Sequence, residues 1–130
     1  MGRVAVDPNI IIDYLRDKTA DFEMLKEESV KEEVQLIIPT VVATELFAGS
    51  ETRIESKRAK IEKIISSLRL IDLDLNIARL VGFLIRDYTR LKDPIDAVIA
   101  ATATHLNAPL ATRNKKDFEF VEGLKFYEGI

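Results

Sequence analysis

Short apolar runs alternate with longer amphipathic stretches along this chain. RVAV (Arg3–Val6), VQLIIPT (Val34–Thr40), RLIDLD and APLAT (Ala108–Thr112) have the length and apolar density of buried strands, and LKFYE (Leu124–Glu128) is a candidate fifth. Between them lie stretches with helical spacing. IIIDYLRD follows Pro8, which suits a first helical turn because its missing N–H has no intrahelical partner there. Asp21 to Glu33 is polar with Phe22, Leu25 and Val30 on one side. VVATELFAG has Thr40 as expected N-cap and Gly49 as its stop. ETRIESKRAKIEKIISSL carries a stripe of Ile54, Ile61, Ile64, Ile65 and Leu68, and LNIARLVGFLIRDYTR one of Ile77, Leu80, Val81, Leu84 and Ile85. DPIDAVIAATATHL is the strongest helix signal, with Asp93 at the N-cap and Pro94 at the first position. Strands alternating with helices predict a single three-layer α/β/α domain over residues 1–130, built on a mainly parallel sheet of four to five strands.

Composition narrows the chemistry. The 130 residues contain no cysteine and one histidine, His105, which excludes disulfides, thiolate metal sites and a zinc site of several imidazoles. No apolar run approaches the roughly 20 residues that span a bilayer, and the N-terminal apolar run is broken at Asp7, unlike a signal peptide. The expected setting is the cytoplasm, with no membrane partner. A net charge of −3 neither announces nor forbids a nucleic acid; only local basic clusters can argue for one.

Four acids stand where an apolar context makes them costly. Asp7 ends the first strand, Glu45 lies inside VVATELFAG, Asp96 follows Asp93 by one helical turn, and Asp117 lies in ATRNKKDF after the fourth strand. A charge in such a place needs a partner, a hydrogen bond or a metal. In parallel α/β sheets the site forms outside the carboxyl ends of the strands, so these positions can converge. Gathered carboxylates repel one another unless a cation joins them, and oxygen-only ligands favour Mg2+ or Mn2+. Such ions commonly act on phosphates, activating water and stabilising an in-line displacement. Each acid also has a purely structural reading: Asp7 and Asp93 as N-caps, Asp96 as a favourable charge in a first turn, Glu45 as a solvated helix residue, Asp117 as part of a polar turn, and Asp13 as a solvated position on the first helix.

Taken in order, VAVDPNIIIDYL, PTVVATELFAG, PIDAVIAATATHL and LATRNKKDF resemble the PIN domain family, in particular its VapC-type toxin nucleases, over nearly the whole chain. The resemblance implies a divalent-metal endoribonuclease, a homodimer, and a VapB-type antitoxin whose tail occludes the active site. It maps the acidic site onto Asp7, Glu45 and Asp96, with Asp117 or Asn114 in the fourth position and Thr112 as a hydroxyl near the first Asp. The family usually has Thr or Ser after that Asp, where this chain has Pro8. On this reading Asp7, Asp96 and Asp117 hold Mg2+ or Mn2+, Glu45 ligates or orients water, and Thr112 and Asn114 support them. Arg113, Lys115 and Lys116, with Arg86, Arg90 and Lys92, are candidates for RNA phosphates. Phe47, Phe83 and Tyr88 are candidates for an interface. The alternatives are a PIN-like module that binds RNA or protein without cleaving, a stand-alone PIN nuclease in RNA processing, and a receiver-like signalling domain. The last lacks the acidic pair it needs after the first strand.

Overall fold

The structure, a computed structural model, describes residues 2–91 and 93–129, so the RNA-contact candidate Lys92 lies outside the described residues. The strands are β1 (Arg3–Val6), β2 (Gln35–Pro39), β3 (Arg69–Ile71) and β4 (Leu110–Ala111). The helices are α1 (Pro8–Leu15), α2 (Asp21–Lys31), α3 (Thr40–Ala48), α4 (Glu55–Ser66), α5 (Leu75–Asp87) and α6 (Pro94–His105). The sheet is parallel in the order β3-β2-β1-β4. The chain adds β2 and β3 on one side of β1, then crosses over through α5 and α6 to add β4 on the other.

Alternation along each strand separates two cores. Val4, Val6, Leu36 and Ile38 face one layer with Ile10 and Ile11 of α1, Phe22 and Leu25 of α2, and Ile61 and Ile64 of α4. Ala5, Ile37 and Leu110 face the other, with Ile77 and Leu84 of α5 and most of α6. Helix α6 is buried from Ala97 to Ala103, and four of those seven residues are alanine. Small side chains allow its backbone a close approach to the sheet. The short helix α3 contributes Val42 to one core and Leu46 to the other, so it sits across the sheet edge.

Three helices end alike without glycine. Asp17, Glu33 and Asn107 adopt φ of 57°, 55° and 52°, and the residue after each donates back to the helix: Lys18 N–H to the Asp13 carbonyl, Val34 to Ser29, Ala108 to Ala103. This is the left-handed terminus that satisfies the last helical carbonyls. The endings at Glu33 and Asn107 turn the chain directly towards β2 and β4.

Three expectations change. Thr40 is not an N-cap; Pro39 holds that position, and the Thr40 hydroxyl donates to Asp72 at 2.7 Å, tying the start of α3 to the segment after β3. The helix expected from Glu51 starts only at Glu55, after a 3-10 turn at Ser50–Arg53. The Thr52 hydroxyl donates to the carbonyls of Gly49 and Phe47, competing with the backbone bonds a helix would need. The fifth strand reduces to one bridge between Leu110 and Phe126, because β4 spans just two residues. Among the described residues, no helix is long and apolar enough to cross a membrane.

Ile37 is fully buried in β2. Ile37→Ala is expected to cost about 2–5 kcal/mol. Loss of the Asp74 cap, whose carboxylate accepts from Ile77 N–H at 2.9 Å, should cost about 1 kcal/mol in Asp74→Ala. Urea unfolding of both variants measures the difference.

Candidate active site

The site lies where the sheet order reverses. β1 stands between β2 and β4, so its carboxyl end and that of β4 open the crevice where parallel α/β sheets place ligands. Asp7 follows β1 there. Its backbone N–H donates to the Ala111 carbonyl at 3.0 Å, which extends the β1–β4 pairing to the last residue before the helix.

The Asp7 carboxylate is buried and does two jobs. One oxygen caps α1, accepting from Asn9 N–H at 3.0 Å. The other accepts from the Thr112 hydroxyl at 2.7 Å. Thr112 is itself fixed, since its oxygen accepts from Asn114 N–H at 2.9 Å. Burial raises the Asp7 pKa; the Asn9 and Thr112 hydrogen bonds pull it back, while the charges of Asp117 and Asp13 push it up. Although Pro8 supplies no hydroxyl, one reaches Asp7 from the end of the neighbouring strand β4.

Asp96 projects from the first turn of α6 and is half-buried. Its pKa is raised to about 6, first by burial and then by the charges of Asp93, Asp7, Asp117 and Glu45. Glu45, half-buried on α3, is also raised, by burial and then by Asp93 and Asp7. Asp7 and Asp96 are thus each within electrostatic reach of Asp117 and of Glu45, although the four come from separate parts of the chain. Asp93 belongs to the same field. It caps α6 through Ile95 N–H at 2.9 Å, yet it is the foremost charge acting on both Glu45 and Asp96. Its spacing of one helical turn from Asp96 was the available signal. Asp13 is half-buried rather than solvated and acts on Asp7.

Among the described residues, no three acidic or imidazole side chains converge tightly enough to cage an ion as they stand. The donor chemistry nevertheless suits a hard cation: Asp7, Glu45 and Asp96 are partly desolvated carboxylates that repel one another, while Asp117 is exposed rather than held in the apolar context the sequence suggests. Mg2+ retains several of its waters and needs only one or two direct carboxylates, so a closed cage is not required.

The basic candidates are more engaged than the sequence suggests. Arg113 forms a two-pronged bond with Asp21, both contacts at 2.8 Å. Arg86 pairs with its neighbour Asp87 and stacks on Phe83. Arg90 lies over the Phe120 ring, and Lys115 reaches Glu128 at 3.3 Å. Lys116 is exposed and, among the described residues, has no carboxylate partner. Among the interface candidates, Phe47 and Phe83 are exposed, whereas Tyr88 packs on Phe120 and its hydroxyl accepts from Glu122 N–H.

A family model of the PIN domain matches residues 4–124. The chain belongs to the PIN domain family. A relative within reach of sequence comparison is Ribonuclease VapC19 of Mycobacterium tuberculosis (strain CDC 1551 / Oshkosh), 32% identical over 123 residues that cover 92% of this chain and 95% of the relative. The fold is shared with solved structures. VapBC2 from Rickettsia felis, bound to a DNA fragment from its promoter, matches with a TM-score of 0.84 at 23% identity, over 96% of this chain and 97% of that one. DNA-bound VapBC from Salmonella typhimurium matches with 0.82 at 24% identity, over the full length of both.

In the metal-free chain the folded state holds the Asp96 proton up to about pH 6, above the ordinary aspartate value of 3.8. Between those values the native state binds more protons than the unfolded chain, so Asp96 removes stability as pH rises through the window. Asp96→Asn is therefore expected to raise Tm relative to the parent at about pH 7 and to do so by less at about pH 4, measured with divalent ions chelated.

Proposed function

We propose that this chain, residues 1–130 acting as one nuclease domain, is a divalent-metal-dependent endoribonuclease and the toxin of a VapBC-type pair. The observation that carries this reading is the electrostatic coupling of Asp7, Glu45, Asp96 and Asp117 at the carboxyl edge of the sheet. Similarity to a VapC ribonuclease and to VapBC structures supports it.

Asp7, Asp96 and Asp117 would hold Mg2+ or Mn2+, with Glu45 as a further ligand or as the group that orients the attacking water. When bound, the cation supplies charge neutralisation at the phosphate and lowers the pKa of water. The chain's own residues supply the rest. Thr112 keeps one Asp7 oxygen fixed and so sets the direction of the other. Asn114 is ordered by its N–H bond to Thr112 and lies beside the fourth position. Asp117 is favoured there because its charge acts on both Asp7 and Asp96. Glu45, half-buried and with its pKa raised above the ordinary glutamate value, is suited to accept a proton from the attacking water. Lys116 and Arg90 contact RNA phosphates along the rim. A homodimer, capture by a VapB-type antitoxin and a cytoplasmic setting complete the reading. The exposed apolar side chains Leu73, Leu75, Phe47 and Phe83 are suited to such contacts.

Cleavage of a labelled RNA in Mg2+ or Mn2+ tests the proposal. Asp7→Asn and Asp96→Asn are each expected to reduce cleavage by about 100-fold or more, with chelation abolishing it in the parent. Equal activity in parent and variants would overturn the assignment.

A further inference from the structure

Among the described residues, a two-pronged ion pair between distant segments lies outside the acidic cluster. Asp21, the first residue of α2, is buried, and its two oxygens take the Arg113 Nε and Nη2 at 2.8 Å each. The Asp21 N–H is in turn bound to the Thr19 hydroxyl at 3.3 Å. The Arg113 side chain remains 57% exposed, so the pair is rooted at its acidic end and reaches out to a surface turn.

That turn carries the site. Arg113 stands between Thr112, whose hydroxyl holds Asp7, and Asn114, whose N–H holds Thr112. The turn then runs through the 3-10 segment Lys115–Asp117 and is anchored again by Phe118 in the core. Between β4 and Phe118, the guanidinium of Arg113 ties the turn to α2, alongside the Thr112 bond to Asp7 and the Lys115 contact with Glu128. A bidentate Arg–carboxylate pair fixes orientation as well as distance, which a single lysine contact cannot do.

We propose that the Asp21–Arg113 pair is a latch that holds the Thr112–Asp117 turn over Asp7, making Asp21 a positioning residue of the site. This rests on the nuclease reading for its catalytic consequence, but not for the latch itself. The competing role for Arg113, a grip on RNA phosphate, makes the opposite prediction. Removing Asp21 would then free the guanidinium and tighten RNA binding. Under the latch, removing either partner does the same harm.

The test uses Asp21→Asn, Arg113→Gln, their double variant and Arg113→Lys. In metal-free protein without RNA, hydrogen exchange of the Asn114, Asp117 and Phe118 amides should become about fivefold faster in either single variant. In RNA cleavage well below the unfolding temperature, each single variant should lose about tenfold in kcat with KM within about twofold. The double variant should be no worse than either single one, because both changes remove the same contact. Arg113→Lys should restore activity only in part. Unchanged exchange in the turn would overturn the latch. So would tighter RNA binding in Asp21→Asn, or a loss of thermal stability with kcat unchanged. A parent that cleaves no RNA, with the exchange response intact, would remove the nuclease reading and leave the latch standing.

Discussion

The pairing of β1 with β4 is the constraint on which the site depends. Two strands about a hundred residues apart in sequence lie side by side, with Ala5 opposite Leu110 and Val6 opposite Ala111. That register delivers Asp7 and Thr112 to the same edge and leaves one hydroxyl within 2.7 Å of a buried carboxylate. Shifted by one residue, the pairing would turn Thr112 to the opposite face and leave Asp7 buried with a single hydrogen bond. The alternation of small and branched residues on the two faces, with Ala5 under α6 and Val6 under α1, resists such a slip.

The acidic field is maintained at a cost. Asp7, Glu45 and Asp96 all have raised pKa values, and in each case burial is the first cause and neighbouring carboxylates add to it. The fold recovers part of that cost locally. Asp7 and Asp93 are useful caps, and Asp96 sits at a helix N-terminus where negative charge is welcome. The dual use offsets part of the mutual repulsion for the three acids placed at helix starts, Asp7, Asp93 and Asp96; Glu45, inside α3, has no such compensation.

Much of this was legible from residues alone. The strand segments, the Asp-Pro starts of α1 and α6 and the isolated acids in apolar surroundings follow from local chemistry, which acts over one or two turns. What escaped depended on contacts between distant segments. Thr40 looks like a cap until Asp72 arrives from beyond β3. Arg113 looks like a free cation until Asp21 arrives from α2. Asp93 reads as a cap and is one, but its second role appears only when α3 brings Glu45 alongside. The fifth strand failed for a related reason: the pattern in Leu124–Glu128 is strand-like, but the edge it would join is two residues long.

The order β3-β2-β1-β4 also has a temporal meaning. The chain's first strand ends up inside the sheet, and its second neighbour is made only after residue 109. Closing a loop of that length is entropically slow relative to the local pairing of β1 with β2. During synthesis, the residues that Asp7 bonds outside its own helix, Ala111 and Thr112, emerge after most of the polypeptide. The hydroxyl partner of Asp7, Thr112, and the charge of Asp117 are added last, long after Asp13 and Glu45. The acidic cleft is thus completed only once β4 and the turn after it have joined the sheet.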